Sequence, residues 1–133
     1  MSIFLDTGYF FALANKTELT HQKAADMSIS IKKGLFGDIF TSSYIFDELM
    51  TLTMSRQNHE NALKLGQSII DSEIIILDIS HKIFDESWGL FRQRKNLSFT
   101  DCTTVKTMLE NKIQNLATFD RHFSQFRELN LLF

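Results

Sequence analysis

Four acidic residues stand where a folding chain least favours an anion: Asp6, Glu48, Asp101 and Asp120. Asp6 closes the apolar run Ile3-Phe4-Leu5, and Asp120 follows Leu116-Ala117-Thr118-Phe119. Glu48 lies on the apolar stripe of one expected helix, and Asp101 opens another. Burying an unpaired carboxylate costs several kcal/mol, so a fold that gathers four must neutralise them. Protonation, a basic partner or a divalent cation would each do so. The cation is the favoured reading, because no Ser/His/Asp or Cys/His set offers a different chemistry.

Each acid also has a plainer explanation. Asp6-Thr7-Gly8 reads as a strand turning into a helix, where Asp6 or Thr7 would serve as an N-cap. In a helix over about 42–56, Ile45, Glu48, Leu49 and Leu52 are spaced i, i+3, i+4, i+7 and share a face. Glu48 is then either a ligand projected toward the strand ends or a stripe-edge carboxylate reaching water. Asp47 points about 100° away, toward the polar side. Ser98 followed by Asp101 resembles a capping box with aspartate in place of glutamate. Yet Asp101, Val105 and Met108 also form one face, so the carboxylate starts a buried stripe. Asp120 is open to reading as a turn residue paired with Arg121.

The elements that must position these acids alternate. Short apolar runs predict strands at 3–5, 38–41, 74–77, 115–118 and 130–133. Helical spacing fills 58–72 through Ala62, Leu65, Ile69 and Ile70, and 81–95 through Phe84, Trp88 and Phe91. A further helix over 20–33 is stopped by Gly34 and Gly37. Strands alternating with helices predict an α/β domain with a mostly parallel central sheet of about five strands. Such sheets bind ligands beyond the carboxyl ends of their strands, where Asp6 and Asp120 fall.

Composition sets outer bounds. A chain of 133 residues is expected to form one domain with a core of its own. A net charge of −2 predicts no general attraction to polyanions, so nucleic-acid binding would need local basic patches or a metal. Arg92, Arg94 and Lys95, ending one helix just before Asp101, are such a candidate edge; the alternative is favourable charge at a helix C-terminus. The single cysteine, Cys102, excludes an internal disulfide, fits a reducing cytoplasm, and is read as a small buried hydrophobe. No run is long enough to span a membrane, and Asp6 interrupts the N-terminus too early for a signal peptide. His21, His59, His81 and His122 show no metal-ligand spacing and are read as surface or capping residues.

Taken in order, four segments resemble the PIN-domain ribonucleases, particularly the VapC-like toxins of toxin–antitoxin pairs. They are Phe4-Leu5-Asp6-Thr7, Ser43-Tyr44-Ile45-Phe46-Asp47-Glu48-Leu49, Leu97-Ser98-Phe99-Thr100-Asp101-Cys102, and Leu116 through Phe123. The resemblance spans nearly the whole chain and implies a single PIN-like domain over 1–133. It makes Asp6, Glu48, Asp101 and Asp120 the catalytic acids, with Thr100 and Thr118 as supporting polar residues. It implies Mg²⁺ or Mn²⁺ as cofactor and RNA as substrate, an antitoxin as possible partner, and a homodimer. Asp6 and Asp101 are expected nearest the metal, with Glu48 and Asp120 acting through water. Some relatives carry a further acid just after the fourth; here that stretch is Arg121-His122-Phe123. Two other functions compete. A phosphoacceptor domain would want a second acid beside Asp6, which Thr7-Gly8 lacks, and a lysine at the end of the fourth strand. A catalytically inactive PIN-like RNA-binding or scaffold domain would not need all four acids.

Overall fold

The fold is described for residues 1–132 by a computed structural model. In chain order it comprises β1 (Ser2–Leu5), α1 (Thr7–Ala14), α2 (His21–Lys32), β2 (Asp38–Ser42), α3 (Ser43–Arg56) and α4 (His59–Ile70). There follow β3 (Ile75–Leu77), α5 (His81–Gln93), α6 (Phe99–Glu110), β4 (Asn115–Ala117), a 3-10 turn (Arg121–Gln125) and β5 (Asn130–Leu132). The expected strand at 130–133 is present to Leu132, and Phe133 lies outside the described residues.

All five strands are parallel, in the order β3-β2-β1-β4-β5. β1 therefore takes the centre, which explains why Ile3, Phe4 and Leu5 are all buried rather than alternating. The chain builds outward from β1 to β2 and β3, then crosses to lay β4 and β5 on the other side. The order reverses between β1 and β4, and it is beyond the carboxyl ends of the strands at such a reversal that open parallel sheets bind ligands. Gly37 sets the entry to β2: its φ is 71°, and an added Cβ would lie 2.1 Å from the Met1 carbonyl oxygen. Only glycine lets these backbones approach so closely and hold Ser2 opposite Asp38.

Short polar residues start the helices. Ser42, Asn58, Ser80 and Ser98 each accept a hydrogen bond from the backbone N–H three residues on, fixing where α3, α4, α5 and α6 begin. Each such cap is worth about 1 kcal/mol. α1 packs on α2, α3 on α4 and α5 on α6, and their inner faces join the sheet in one apolar core. Ile45, Leu49, Val105 and Met108 are essentially sealed within it, as the helical spacing predicts. Cys102 is sealed too, and burial pushes its thiol up to about 11, far from a nucleophile's range.

Candidate active site

The carboxyl ends of β1 and β4 bring together acids from four separate elements, which feel one another's charge. Asp6 lies one residue past β1, and its N–H continues the ladder to the Ala117 carbonyl at 3.1 Å. It occupies the N-cap position of α1, yet its side chain makes no capping bond. Instead the carboxylate accepts a 2.7 Å hydrogen bond from the Thr118 hydroxyl through Oδ2. Only 7% of Asp6 is exposed. Burial raises its pKa to about 7, against the lowering pull of Thr118, and the charges of Asp101 and Glu48 raise it further. Asp6 thus stands at the N-cap position while its side chain is engaged with Thr118 across the sheet.

Glu48 comes from the second turn of α3. Its neighbours Ile45 and Leu49 are wholly buried, Asp47 is exposed and Glu48 itself is half-buried, which is the helix phase read from the sequence. The buried Thr7 hydroxyl donates to Glu48 Oε1 at 2.6 Å. That bond ties the first residue of α1 to α3 and fixes one oxygen of Glu48, leaving the other available. Because Asp47 and Glu48 occupy different faces of one helix, the RNA cleavage that the family resemblance implies would fall at least 10²-fold in a folded Glu48→Gln protein, about 2.7 kcal/mol. Asp47→Asn should be nearly silent. Paired rate measurements check this, and a silent Glu48→Gln would take Glu48 out of the site.

Asp101 is a helix cap that also adjoins the other acids. Its N–H donates to Ser98 Oγ at 3.0 Å and its Oδ2 accepts from the Ser98 N–H at 3.1 Å, a complete capping box. Burial nevertheless raises its pKa, Ser98 pulls it down, and Asp120 and Glu48 push it up again. The cap uses one oxygen, and the charge still belongs to the acid cluster.

Asp120 begins the 3-10 turn. Its N–H donates to Thr118 Oγ1 at 3.0 Å, and its Oδ1 accepts from the His122 N–H at 2.9 Å. His122 Nδ1 lies 2.9 Å from the same oxygen. His122 is thus a partner of Asp120 through both its backbone N–H and its ring. Thr118, fully buried, receives the Asp120 N–H and gives its own proton to Asp6, so it couples the two acids. Thr100 stands in the first turn of α6, where its carbonyl accepts the Thr103 hydroxyl at 2.7 Å.

The expected basic edge divides. Arg92 and Lys95 are exposed, whereas Arg94 is half-buried, donates to Gln125 Oε1 at 2.6 Å and lies 5.2 Å over the Phe126 ring. Arg94 thus braces the turn that carries Asp120 and His122. Thr7 and His122 were read from sequence only as cap and surface residues, and neither carried a stronger signal there.

Among the described residues, no three His, Cys, Asp or Glu side chains converge tightly enough to cage an ion. The donor set fits a hard divalent cation that keeps most of its waters. Such an ion takes only one or two carboxylates directly, and these acids raise one another's proton affinity.

A parallel sheet of this order, carrying acids at its switch point, has known counterparts. The family model for the PIN domain matches residues 3–129, and the chain belongs to that family. Among individual proteins, it is 27% identical to the 23S rRNA-specific endonuclease VapC20 of Mycobacterium tuberculosis over 126 residues, 92% of each chain. It is 25% identical to a VapC ribonuclease of Archaeoglobus fulgidus over 128 residues, 93% of this chain and 80% of that one. The crystal structure of M. tuberculosis VapC20, a sarcin–ricin loop cleaving toxin, shares the fold with a TM-score of 0.84 at 24% identity, covering 96% and 98% of the two chains. VapBC2 of Rickettsia felis, bound to a promoter DNA fragment, follows with a TM-score of 0.70 at 19% identity, covering 98% and 97%.

Proposed function

We propose that this protein is a divalent-metal-dependent ribonuclease and the toxin of a toxin–antitoxin pair. The observation that carries the reading is the convergence of Asp6, Glu48, Asp101 and Asp120 from four elements at the carboxyl ends of β1 and β4. There, burial and mutual repulsion hold Asp6 at a proton affinity that a structural carboxylate would not need. Relatives named as ribonucleases support it.

In this reading Asp6 and Asp101 hold Mg²⁺ or Mn²⁺, while Glu48 and Asp120 act through water. The bound ion supplies positive charge against the phosphoryl group and makes a nearby water more acidic. Thr118 presents Asp6 by fixing Oδ2. Thr7 fixes one oxygen of Glu48, so the other is free to orient the attacking water or accept its proton. The reaction takes place in the cytoplasm. The test is direct: RNA should be cut with Mg²⁺ or Mn²⁺ and spared when a chelator is added. Undiminished cutting in EDTA would remove the metal from the mechanism.

The same reading supplies an antitoxin and a second copy of this chain as partners. A solved neighbour, VapBC-1 from nontypeable Haemophilus influenzae, is such a two-component assembly. Exposed Met54, Leu63 and Ile70 lie along an apolar cleft between α3 and α4, a surface of the kind a partner covers. Sedimentation at tens of micromolar should show a dimer, and a monomer there would count against self-association. Among the described residues, no helix is long and apolar enough to cross a membrane.

A further inference from the structure

One exposed surface beside the acids is aromatic rather than aliphatic. On α5, Phe84, Trp88 and Phe91 recur at i, i+4, i+7 and keep 41%, 52% and 37% of their surface exposed. Phe99 gathers them from the first turn of α6, with ring centroids 5.3 Å from Phe84, 6.3 Å from Trp88 and 5.9 Å from Phe91, each approached edge-on. Tyr44 touches Phe99 from the α3 side at 6.5 Å. Tyr44 precedes Glu48 by one helical turn on the same face of α3, so the strip reaches toward the acid cluster through Tyr44.

The charges along α5 point to what the strip receives. Lys82 pairs with Glu86 and Glu110, and His81 with Asp85, so the start of the helix is electrically satisfied. At the other end, among the described residues, exposed Arg92 and Lys95 make no ion pair. Arg92 follows Trp88 by one turn. Cations without protein partners beside flat apolar rings suit a phosphate chain with its bases attached. Size points the same way. At the exposures above, the three rings offer ~300 Å². A stable protein–protein interface takes ~800 Å² from each partner. The strip suits a few bases rather than a protein face, received on the ring surfaces left open where Phe84 stacks on His81 at 6.4 Å and Trp88 on Phe91 at 5.7 Å.

We propose that Phe84, Trp88 and Phe91, braced by Phe99, form a stacking platform for unpaired RNA bases next to the scissile phosphate, with Arg92 and Lys95 holding the adjoining backbone. This rests on the ribonuclease reading above. Trp88 is the only tryptophan in the chain, so its fluorescence reports on the platform alone.

The experiment titrates the full-length protein in EDTA with a short unstructured RNA and, separately, with an abasic ribose-phosphate oligomer of equal length. RNA should quench Trp88 to saturation and the abasic oligomer should not. Phe84→Leu and Phe91→Leu, which keep apolar volume but lose the ring, should each weaken RNA binding at least tenfold with the salt dependence unchanged. Arg92→Ala should instead flatten the log–log salt slope by about 0.7. Equal quenching by both oligomers, or full-strength binding by both Leu variants, would overturn the platform. So would a Trp88 signal that follows protein concentration and ignores RNA, which would make the strip a contact between copies. Cleavage with Mg²⁺ is read on the same preparations. RNA that is cut without any Trp88 response removes the platform and leaves the nuclease, whereas RNA that quenches Trp88 but survives Mg²⁺ does the reverse.

Discussion

Asp6→Asn should lower RNA cleavage at least 10²-fold, about 2.7 kcal/mol of barrier, in a protein that remains folded. Asparagine keeps the shape and can still accept the Thr118 hydroxyl, so the 2.7 Å bond between β1 and β4 survives. What disappears is the negative charge at the most buried position of the cluster. Asp101→Asn should lose a comparable factor for the same reason. Its side-chain oxygen can still accept the Ser98 N–H, so the start of α6 is preserved. Single-turnover cleavage with Mg²⁺, beside circular dichroism of each variant, measures both. A folded Asp6→Asn protein that cuts at the wild-type rate would end the proposed role of this site.

The second large effect is on stability in the absence of metal. The pKa of Asp6 is raised from 3.8 to about 7, first by burial. Between those values the folded state holds a proton that the unfolded chain has released. The folded state is therefore favoured at low pH, and this contribution fades as pH rises through the folded value. Across the whole interval the loss is about 4 kcal/mol at 1.36 kcal/mol per unit. Asp101 shifts in the same direction and adds to it. In EDTA, wild type should thus lose stability relative to Asp6→Asn as pH climbs from about 4 to 7. Above that range Mg²⁺ should restore the wild type by binding linkage and act far less on the variant. Melting curves of the two proteins across pH, with EDTA and with Mg²⁺, give the difference directly. Parallel curves would mean that Asp6 is comfortable as an anion and has no need of a cation.

Much of this arrangement was legible in the residues because it follows local rules. Asp6 and Asp120 end apolar runs, and strand ends are where parallel sheets open. The phase of α3 separated Glu48 from Asp47 with nothing beyond helical spacing. The triple burial of Ile3, Phe4 and Leu5 fitted a central strand, but the order β3-β2-β1-β4-β5 depends on crossovers that no local pattern encodes. Asp101 was posed as cap or ligand; the structure shows the cap, which engages only one of its two carboxylate oxygens. The contacts of Thr7 and Arg94 had no local signal: Thr7 meets Glu48 41 residues away and Arg94 meets Gln125 31 residues away. His122 stays exposed, in keeping with its reading as a surface residue.

The bond from Thr118 to Asp6 spans 112 residues of chain. Asp6 is made first, yet it has no site around it until β4 slots in beside β1. A ribosome that has built β1 through β3 has so far produced half of the sheet, with Asp101 and Asp120 still unmade. Contacts this distant in sequence also form late and slowly. In the ribonuclease reading proposed above, the strand order would work as a delay, since the four acids come together only when nearly all of the chain has emerged.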